Sequence, residues 1–268
     1  MKPLEPLAVD PSPPGSKPRY EWSGFPWWFL GIIGTIAYPL FKILTDEVWN
    51  DGFQFIKDGM TLTLIVTSGG FVLAMVLGLV VSLGRMSKNV FSRNLAIFYI
   101  EIVRGIPVLV TILFIGIVVW PELMSALNVA PRTGLSSNAV KATVAVGMVY
   151  AAFIAEVFRA GVQSVAVGQR EAGMSVGLSR VQVFRTIVWP QAIKNILPAL
   201  GNDLVALLKD SSLVSILAVR ELTQMTKLWT GGNFQFVAGY LILAAFYLLL
   251  TVSLSILLQW YERKIGTP

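Results

Sequence analysis

Arg104 is the residue whose position most strongly indicates ligand chemistry. It stands in Arg-Gly-Ile-Pro within an apolar stretch, eleven residues beyond Arg93, which is about 16 Å along a helix and near the middle of a hydrocarbon core of about 30 Å. A guanidinium there is costly unless paired or hydrated, so we expect it to face a cavity. Gly105 and Pro107 should break the helix at the same point, and broken helices are typical of substrate sites in transporters. Glu101, one turn earlier, is the alternative partner, in a structural ion pair.

A second candidate binding segment, Lys-Asp-Ser-Ser-Leu, begins at Lys209. It places a carboxylate, Asp210, and the hydroxyls of Ser211 and Ser212 where an apolar stretch ends or bends. A carboxylate receives cations and hydroxyls add hydrogen bonds, so this segment would suit a polar solute. The plainer alternative is a helix C-terminus whose polar residues are solvated.

Glu156 and Arg159 form a third polar group, near the end of another apolar stretch. They are three residues apart and therefore lie on one face of a helix. Opposite charges at this spacing satisfy each other. We predict a structural or gating pair here rather than a ligand site.

Several kinds of chemistry are excluded by what the sequence lacks. It has no Cys and no His, which excludes zinc sites, disulfides, thiol catalysis and imidazole acid–base catalysis. It has no Gly-x4-Gly-Lys-Ser/Thr phosphate loop, so it cannot bind ATP in that manner. We therefore predict no catalytic residue, no metal and no cofactor. Any energy-coupled function would need ATP bound by a separate subunit.

The composition indicates an integral membrane protein. Of 268 residues, 55% are hydrophobic and only 13% are charged, whereas soluble domains are about 25% charged. The net charge of +6 does not indicate nucleic acid, because the basic residues gather between the apolar stretches. Residues 1–26 are Pro-rich and lack the apolar segment of a signal peptide, so they predict a cytoplasmic tail.

The apolar stretches predict transmembrane helices, because they are long and alternate too weakly for barrel strands. An extra N-terminal helix over residues 27–45 has about the minimum length for a span, so an interfacial helix is the alternative. Residues 57–264 form the main transmembrane domain. Its predicted spans are 59–84, 94–120, 138–158, 191–208 and 234–260, with a short interfacial helix at 46–58 and a loop at 121–137.

The loop charges predict the orientation. With both termini in the cytoplasm, the inner segments hold about twice as many Lys and Arg residues as the outer segments, as the positive-inside rule requires. This orientation also places the loop at 168–190 in the cytoplasm. That loop is amphiphilic and lies between two spans, so we expect it to have a partner in water.

The same loop carries the strongest motif, EAGMSVGLSRVQVFRTIVWP from Glu171 to Pro190. Its spacing resembles the EAA signature of permease subunits in bacterial binding-protein-dependent ABC importers. Gly173 stands where the family has a third alanine, and Trp189 where it has leucine. The resemblance implies a docking surface for ABC ATPase subunits, with apolar anchors that enter a cleft of the partner. The alternative is an ordinary amphipathic helix lying on lipid.

The resemblance assigns coupling to five residues of this loop. Two glycines should permit close backbone approach and a sharp turn between two short helices. Glu171 would lie near a helix N-terminus, where a carboxylate is favoured, or bind the partner directly. The predicted coupling residues are Glu171, Ala172, Gly173, Gly177 and Leu178.

Four segments narrow the resemblance to the polar amino-acid branch of these permeases, similar to histidine, glutamine and arginine permeases. They are 99–110, 155–165, 168–172 and 208–213. Ile106 and Ser211 stand where this branch usually has threonine. The resemblance implies an all-α integral membrane protein with the five-helix core of a MetI-like type I importer, plus the extra N-terminal helix.

The resemblance also implies an assembly and a site. Two permease chains, identical or different, would join two ATPases and an extracytoplasmic solute-binding protein in the bacterial plasma membrane, and access would alternate. The amino-acid carboxylate would meet Arg104, beside Gly105 and Pro107. The ammonium or a cationic side chain would meet Asp210, with Ser211 and Ser212 adding hydrogen bonds.

Other functions remain open from the sequence. A stand-alone channel or secondary transporter would need inverted repeats or coupling-ion residues, and we find no convincing repeat. A membrane-anchored scaffold would use the loop only to recruit a soluble protein. Within the importer class, the solute could be another small polar molecule.

Overall fold

The computed structural model describes residues 27–129 and 137–265, and within these ranges the chain is helical without a β-strand. The predicted tail at 1–26 and most of the second half of the predicted loop at 121–137 lie outside the described residues. The α-helices are α1 (Trp27–Thr45), α2 (Glu47–Lys57), α3 (Met60–Arg85), α4 (Val90–Gly105), α5 (Val108–Leu113), α6 (Trp120–Ala126), α7 (Asn138–Gln163), α8 (Val167–Ser175), α9 (Arg180–Val183), α10 (Trp189–Asp210), α11 (Leu222–Asn233) and α12 (Phe236–Ile265).

π-helical and 3₁₀-helical segments extend some of these α-helices into longer helical runs. A π-helical segment, Phe114–Val119, joins α5 to α6, and another, Phe184–Val188, joins α9 to α10. A 3₁₀-helix, Ser211–Leu217, continues from α10. The predicted loop at 121–137 therefore begins as helix, and the predicted fifth span is the end of a helix that starts much earlier.

Four helical segments of the described chain are long and apolar enough to cross a membrane: Glu47–Arg85, Val108–Ala126, Asn138–Gln163 and Phe236–Lys264. The apolar part of α1, Leu30–Thr45, is shorter. The helix α10 is long but polar, because charged side chains interrupt it. Six of its residues are buried, so α10 is stabilised by packing against other helices.

The core is built on the pair α3 and α7, which pack along a row of small residues. A Cβ added at Gly78 would lie 2.9 Å from Ile154 Cγ2 and 3.0 Å from the Ala151 carbonyl oxygen. A Cβ at Gly147 would lie 2.8 Å from Leu73 Cδ2. The backbones of the two helices therefore approach more closely than larger residues would permit, as is common where lipid supplies no hydrophobic driving force.

A second cluster fixes the N-terminal helices to the C-terminal ones. Trp49 and Trp229 are buried in it, and the Trp229 indole donates to Asp51 Oδ2 over 2.8 Å. Phe53 of α2 stacks on Phe246 of α12, with ring centroids 5.4 Å apart. The predicted helix at 46–58 thus exists as α2 and packs on α11 and α12.

The start of α11 is held by the carboxylate of Glu221, which is fully buried. It accepts the backbone N–H groups of Thr223 and Gln224, each over 2.8 Å, and the Tyr247 hydroxyl over 3.0 Å. Burial raises the pKa of this carboxyl, and the hydrogen bonds that it accepts oppose that rise. The carboxylate thereby links α11 to α12.

The close packing of α3 on α7 predicts that Gly78→Val lowers stability. The added side chain would overlap Ile154 and the backbone of α7, and overpacking of this kind costs about 1–3 kcal/mol. We expect a lower midpoint of thermal unfolding in detergent. Gly34→Val is the matched control, because a Cβ at Gly34 meets nothing within 4 Å. Equal midpoints for the two variants would contradict the packing argument.

Candidate functional site

Arg104 and Asp210 both meet α7, through two aromatic side chains one turn apart. The Arg104 guanidinium carbon lies 5.6 Å from the centroid of the Phe153 ring, a cation–π contact. The Tyr150 hydroxyl donates to Asp210 Oδ2 over 2.8 Å. The two rings, which we call the aromatic bridge, have centroids 5.7 Å apart. The bridge connects the cation and the anion that the sequence singled out.

The helix break beside Arg104 is confirmed, but the predicted span that contained it is wrong. α4 ends at Gly105, and Pro107 precedes α5. Arg93 and Arg104 both lie on α4, but the segment that can cross the membrane starts at Val108, so the distance between the two residues does not give the depth of Arg104 in the bilayer. Tyr150 instead fixes the depth: it lies twelve residues into α7, about 18 Å from the start of that helix and close to its middle.

Glu101 is not the partner of Arg104. Glu101 is exposed, and the ion pairs among the described residues do not include it. The guanidinium instead turns to the ring of Phe153. The Tyr99 hydroxyl donates to the Met148 carbonyl of α7, which holds the last turns of α4 against the aromatic bridge.

The two predicted serines separate. Ser211 is completely buried and its hydroxyl donates to the Leu208 carbonyl over 2.7 Å, so it is removed from the predicted ligand donors. The 3₁₀ turn after α10 causes this, because it points Ser211 back into the protein. Ser212 lines a cavity of about 360 Å³ together with Lys209 and Tyr247, and the residues of the aromatic bridge are not among those lining it.

The predicted ion pair of Glu156 and Arg159 is present, and Arg85 joins it to form a network of three charged side chains. Arg159 Nη2 lies 2.7 Å from Glu156 Oε2, and Arg85 at the end of α3 donates to Oε1 of the same carboxylate. The three side chains are partly buried. Sequence reasoning used Arg85 only to orient the chain, because nothing in the sequence says that the ends of α3 and α7 meet.

This network predicts that Glu156→Gln destabilises the protein. The substitution leaves the guanidinium groups of Arg85 and Arg159 close together without an anion, which we expect to cost about 2 kcal/mol, somewhat less than for a fully buried pair. The midpoint of thermal unfolding should fall. The control is Glu122→Gln, which neutralises an exposed carboxylate on α6. An unchanged midpoint for Glu156→Gln would show that the network adds no stability.

The loop at 168–190 has the turn and the close approach that its glycines predict. Gly177, between α8 and α9, has a φ of +87°, which side chains rarely adopt. A Cβ at Gly173 would lie 2.6 Å from Ile187 Cδ1 and 3.0 Å from Val183 Cγ2. The two short helices therefore fold back on each other.

The outer face of this loop is exposed and carries large apolar side chains, such as Val176 and Val181, beside the charged Glu171. Glu171 and Ala172 are exposed on α8, whereas Leu178 is partly buried against the core. Leu178 therefore supports the loop from within. Beside the loop lies an open cavity of about 350 Å³, lined by Val162, Arg170, Met174, Arg180, Val183, Phe184 and Val188.

Comparison with known proteins identifies the class of protein. Residues 70–267 match the family described as "binding-protein-dependent transport system inner membrane component". This match covers well over half of the chain, so the protein belongs to that family. It is the membrane permease of an ATP-driven importer, in which ATP hydrolysis belongs to a separate subunit and solute is delivered by a binding protein. It is an inner membrane protein and not itself an enzyme.

Two relatives resemble most of the chain. A probable amino-acid permease protein of Bacillus subtilis is 34% identical, over 83% of this chain and 96% of its own length. The permease protein of the glutamine transport system of Escherichia coli is 33% identical, over 82% and 96%. Neither match covers the whole of this chain.

Solved structures have the same fold. An amino acid ABC transporter crystallised with histidines has a TM-score of 0.70 and is 33% identical, with 79% of this chain and 94% of that chain covered. A methionine ABC transporter in an inward-facing conformation has a TM-score of 0.61 at 16% identity, with 80% and 95% covered, and shows the fold alone. The prediction of a MetI-like permease fold is confirmed.

Proposed function

We propose that this permease carries amino acids, which bind between Arg104 and Asp210. The observation that carries the proposal is the aromatic bridge, which holds one cation and one anion at the middle of α7 without letting them pair with each other. Because a free amino acid carries a carboxylate and an ammonium, it complements both groups. The glutamine and amino-acid permeases among the relatives support the same class of solute.

In this proposal each charged group has one function. Arg104 is exposed in the last turn of α4, so its donors beyond the ring of Phe153 can take a carboxylate. Asp210 accepts one hydrogen bond from Tyr150 and keeps a second oxygen for an ammonium. Gly105 carries no side chain, and a Cβ there would meet nothing within 4 Å, so space is open beside Arg104. Pro107 fixes the helix break beside Arg104.

The coupling part of the proposal concerns residues 168–190. We infer that ATPase subunits dock on the exposed face that includes Glu171 and Ala172, with the turn at Gly177 setting its shape. ATP would be bound by those subunits. This requires the loop and both termini to be cytoplasmic, and a second permease chain, identical or different, to complete the pathway.

Uptake assays on the binding groups test the substrate proposal. In vesicles containing the complete importer, Arg104→Gln and Asp210→Asn should each raise the apparent KM for labelled glutamine or histidine about tenfold or more, because each loses a charge-assisted hydrogen bond. Tyr150→Phe should raise KM less and leave the maximal rate unchanged. Arg93→Gln and Asp58→Asn remove exposed charges elsewhere and are the controls. Unchanged KM and rate for both site variants would refute the assignment, and import of another polar solute alone would favour that solute.

Variants of the loop test the coupling proposal separately. Glu171→Lys and Gly177→Asp should reduce uptake to a tenth or less, although the permease still inserts into the membrane. The first reverses a charge on the docking face, and the second forces a side chain into a left-handed backbone conformation. Gly231→Asp is the control, because Gly231 is exposed with open space around it on α11. Wild-type uptake with either loop variant would contradict docking at this face.

A further inference from the structure

The open cavity beside the loop at 168–190 carries two arginines that the proposed function does not use. Arg170 of α8 and Arg180 of α9 both line this cavity of about 350 Å³, and its other lining residues are apolar. Residues 168–190 contain three arginines and a single carboxylate, Glu171, which is exposed on α8. Neither Arg170 nor Arg180 belongs to an ion pair among the described residues. The cavity therefore has an excess of positive charge.

Arg170 has a donor that nothing in the described part of the chain satisfies. Its Nη2 atom donates to the Val162 carbonyl in the last turn of α7, so the guanidinium caps the end of that helix. Its Nε atom is buried without a hydrogen bond. A buried donor without an acceptor is unfavourable, which indicates that an acceptor is missing at this cavity. An acceptor with a negative charge would satisfy Arg170 and Arg180 together.

The cavity lies at the depth of the lipid headgroups. Its lining includes Val162, which is twelve residues beyond Tyr150 and therefore about 18 Å from the middle of α7. Half of the hydrocarbon core is about 15 Å thick, and the headgroup layer lies directly outside it. The two guanidinium groups are thus close to the level at which the phosphates of one leaflet lie.

The rim of the cavity suits a lipid better than a free anion. Met174 and Phe184 line the cavity and are 45% and 43% exposed. They follow Arg170 and Arg180 by four residues, about one helical turn, so each arginine has an exposed apolar side chain beside it. A phosphate would meet the guanidinium groups, and the start of an acyl chain would meet the apolar side chains. Basic cavities between membrane helices bind anionic lipid headgroups in this way.

We propose that Arg170 and Arg180 bind the phosphate of an anionic phospholipid of the cytoplasmic leaflet, which anchors the loop at 168–190 to the membrane surface. The phosphate accepts hydrogen bonds from Nε of Arg170 and from the guanidinium of Arg180. Glu171 points about 100° away from Arg170 around α8, so the lipid leaves the proposed docking face open. This inference rests on the proposed function only for the side of the membrane on which the loop lies.

Phosphatidylglycerol and phosphatidylcholine with the same acyl chains are matched probes, because both carry a phosphate and only the first has a net charge. Their binding to the full-length permease is measured in detergent by native mass spectrometry, without substrate or ATPase. The wild type should bind phosphatidylglycerol more tightly than phosphatidylcholine. Arg180→Gln should weaken the binding of phosphatidylglycerol about fivefold, the factor expected for one basic residue near an anionic headgroup, and leave phosphatidylcholine binding unchanged.

Three variants act as controls. Arg185→Gln removes an exposed charge from the same loop, and Arg185 does not line the cavity, so the preference for phosphatidylglycerol should persist. Arg180→Lys keeps the charge and should also keep the preference. Arg170→Gln should weaken phosphatidylglycerol binding as well. Because that variant also removes the cap of α7, the exposed Arg180 provides the decisive substitution.

Three results would overturn the proposal. The first is a wild type that does not distinguish the two lipids. The second is an equal loss of binding in Arg185→Gln and Arg180→Gln, since diffuse charge would then suffice. The third is displacement of phosphatidylglycerol by an equal concentration of soluble glycerol phosphate, because the site then takes a free anion. Amino-acid binding and ATPase docking are unaffected by these results, since neither substrate nor ATPase is present. If Glu171→Lys transports normally while the lipid preference persists, the docking proposal fails and the lipid site stands.

Discussion

The close contact between α3 and α7 is the constraint on which the other features depend. Glycines and alanines let the two backbones meet, and a Cβ at either Gly78 or Gly147 would overlap the neighbouring helix. Because the pair is fixed, the end of α3 brings Arg85 to Glu156, and the middle of α7 has a fixed depth. The aromatic bridge lies at the middle of α7. A change in the distance between the helices would therefore alter the ion-pair network and the candidate binding site together.

The binding site shows what a single sequence can and cannot predict. Arg104 and Asp210 were identifiable because a charge inside an apolar stretch is costly and needs a reason. The residues that hold them, Tyr150 and Phe153, were not identifiable, because an aromatic residue in a membrane helix carries no such signal.

The fold was predictable in class and less so in its boundaries. Apolar length predicted helices, and the glycine spacing predicted both the turn at Gly177 and the close approach at Gly173. Helix continuity was not predictable, because apolar length does not say where a helix bends. The break after Arg104 was predicted from Gly105 and Pro107, but the motif that was predicted to be a loop up to Pro190 merges into α10 through a π-helical segment. The alternative in which Glu101 pairs with Arg104 is not found in the structure, and sequence spacing could not reveal the competing ring of Phe153 on another helix.

The run from α9 through the π-helical segment to the end of α10 is one uninterrupted rod of 31 residues, from Arg180 to Asp210. It is about 46 Å long, with its first turn on the face proposed for the ATPase and its last residue at the ligand site. A tilt of about 5° at one end displaces the other by about 4 Å, which is more than the length of a hydrogen bond. A rigid tilt of this run would therefore move the Asp210 carboxylate relative to the hydroxyl of Tyr150 without any relay of side chains between them.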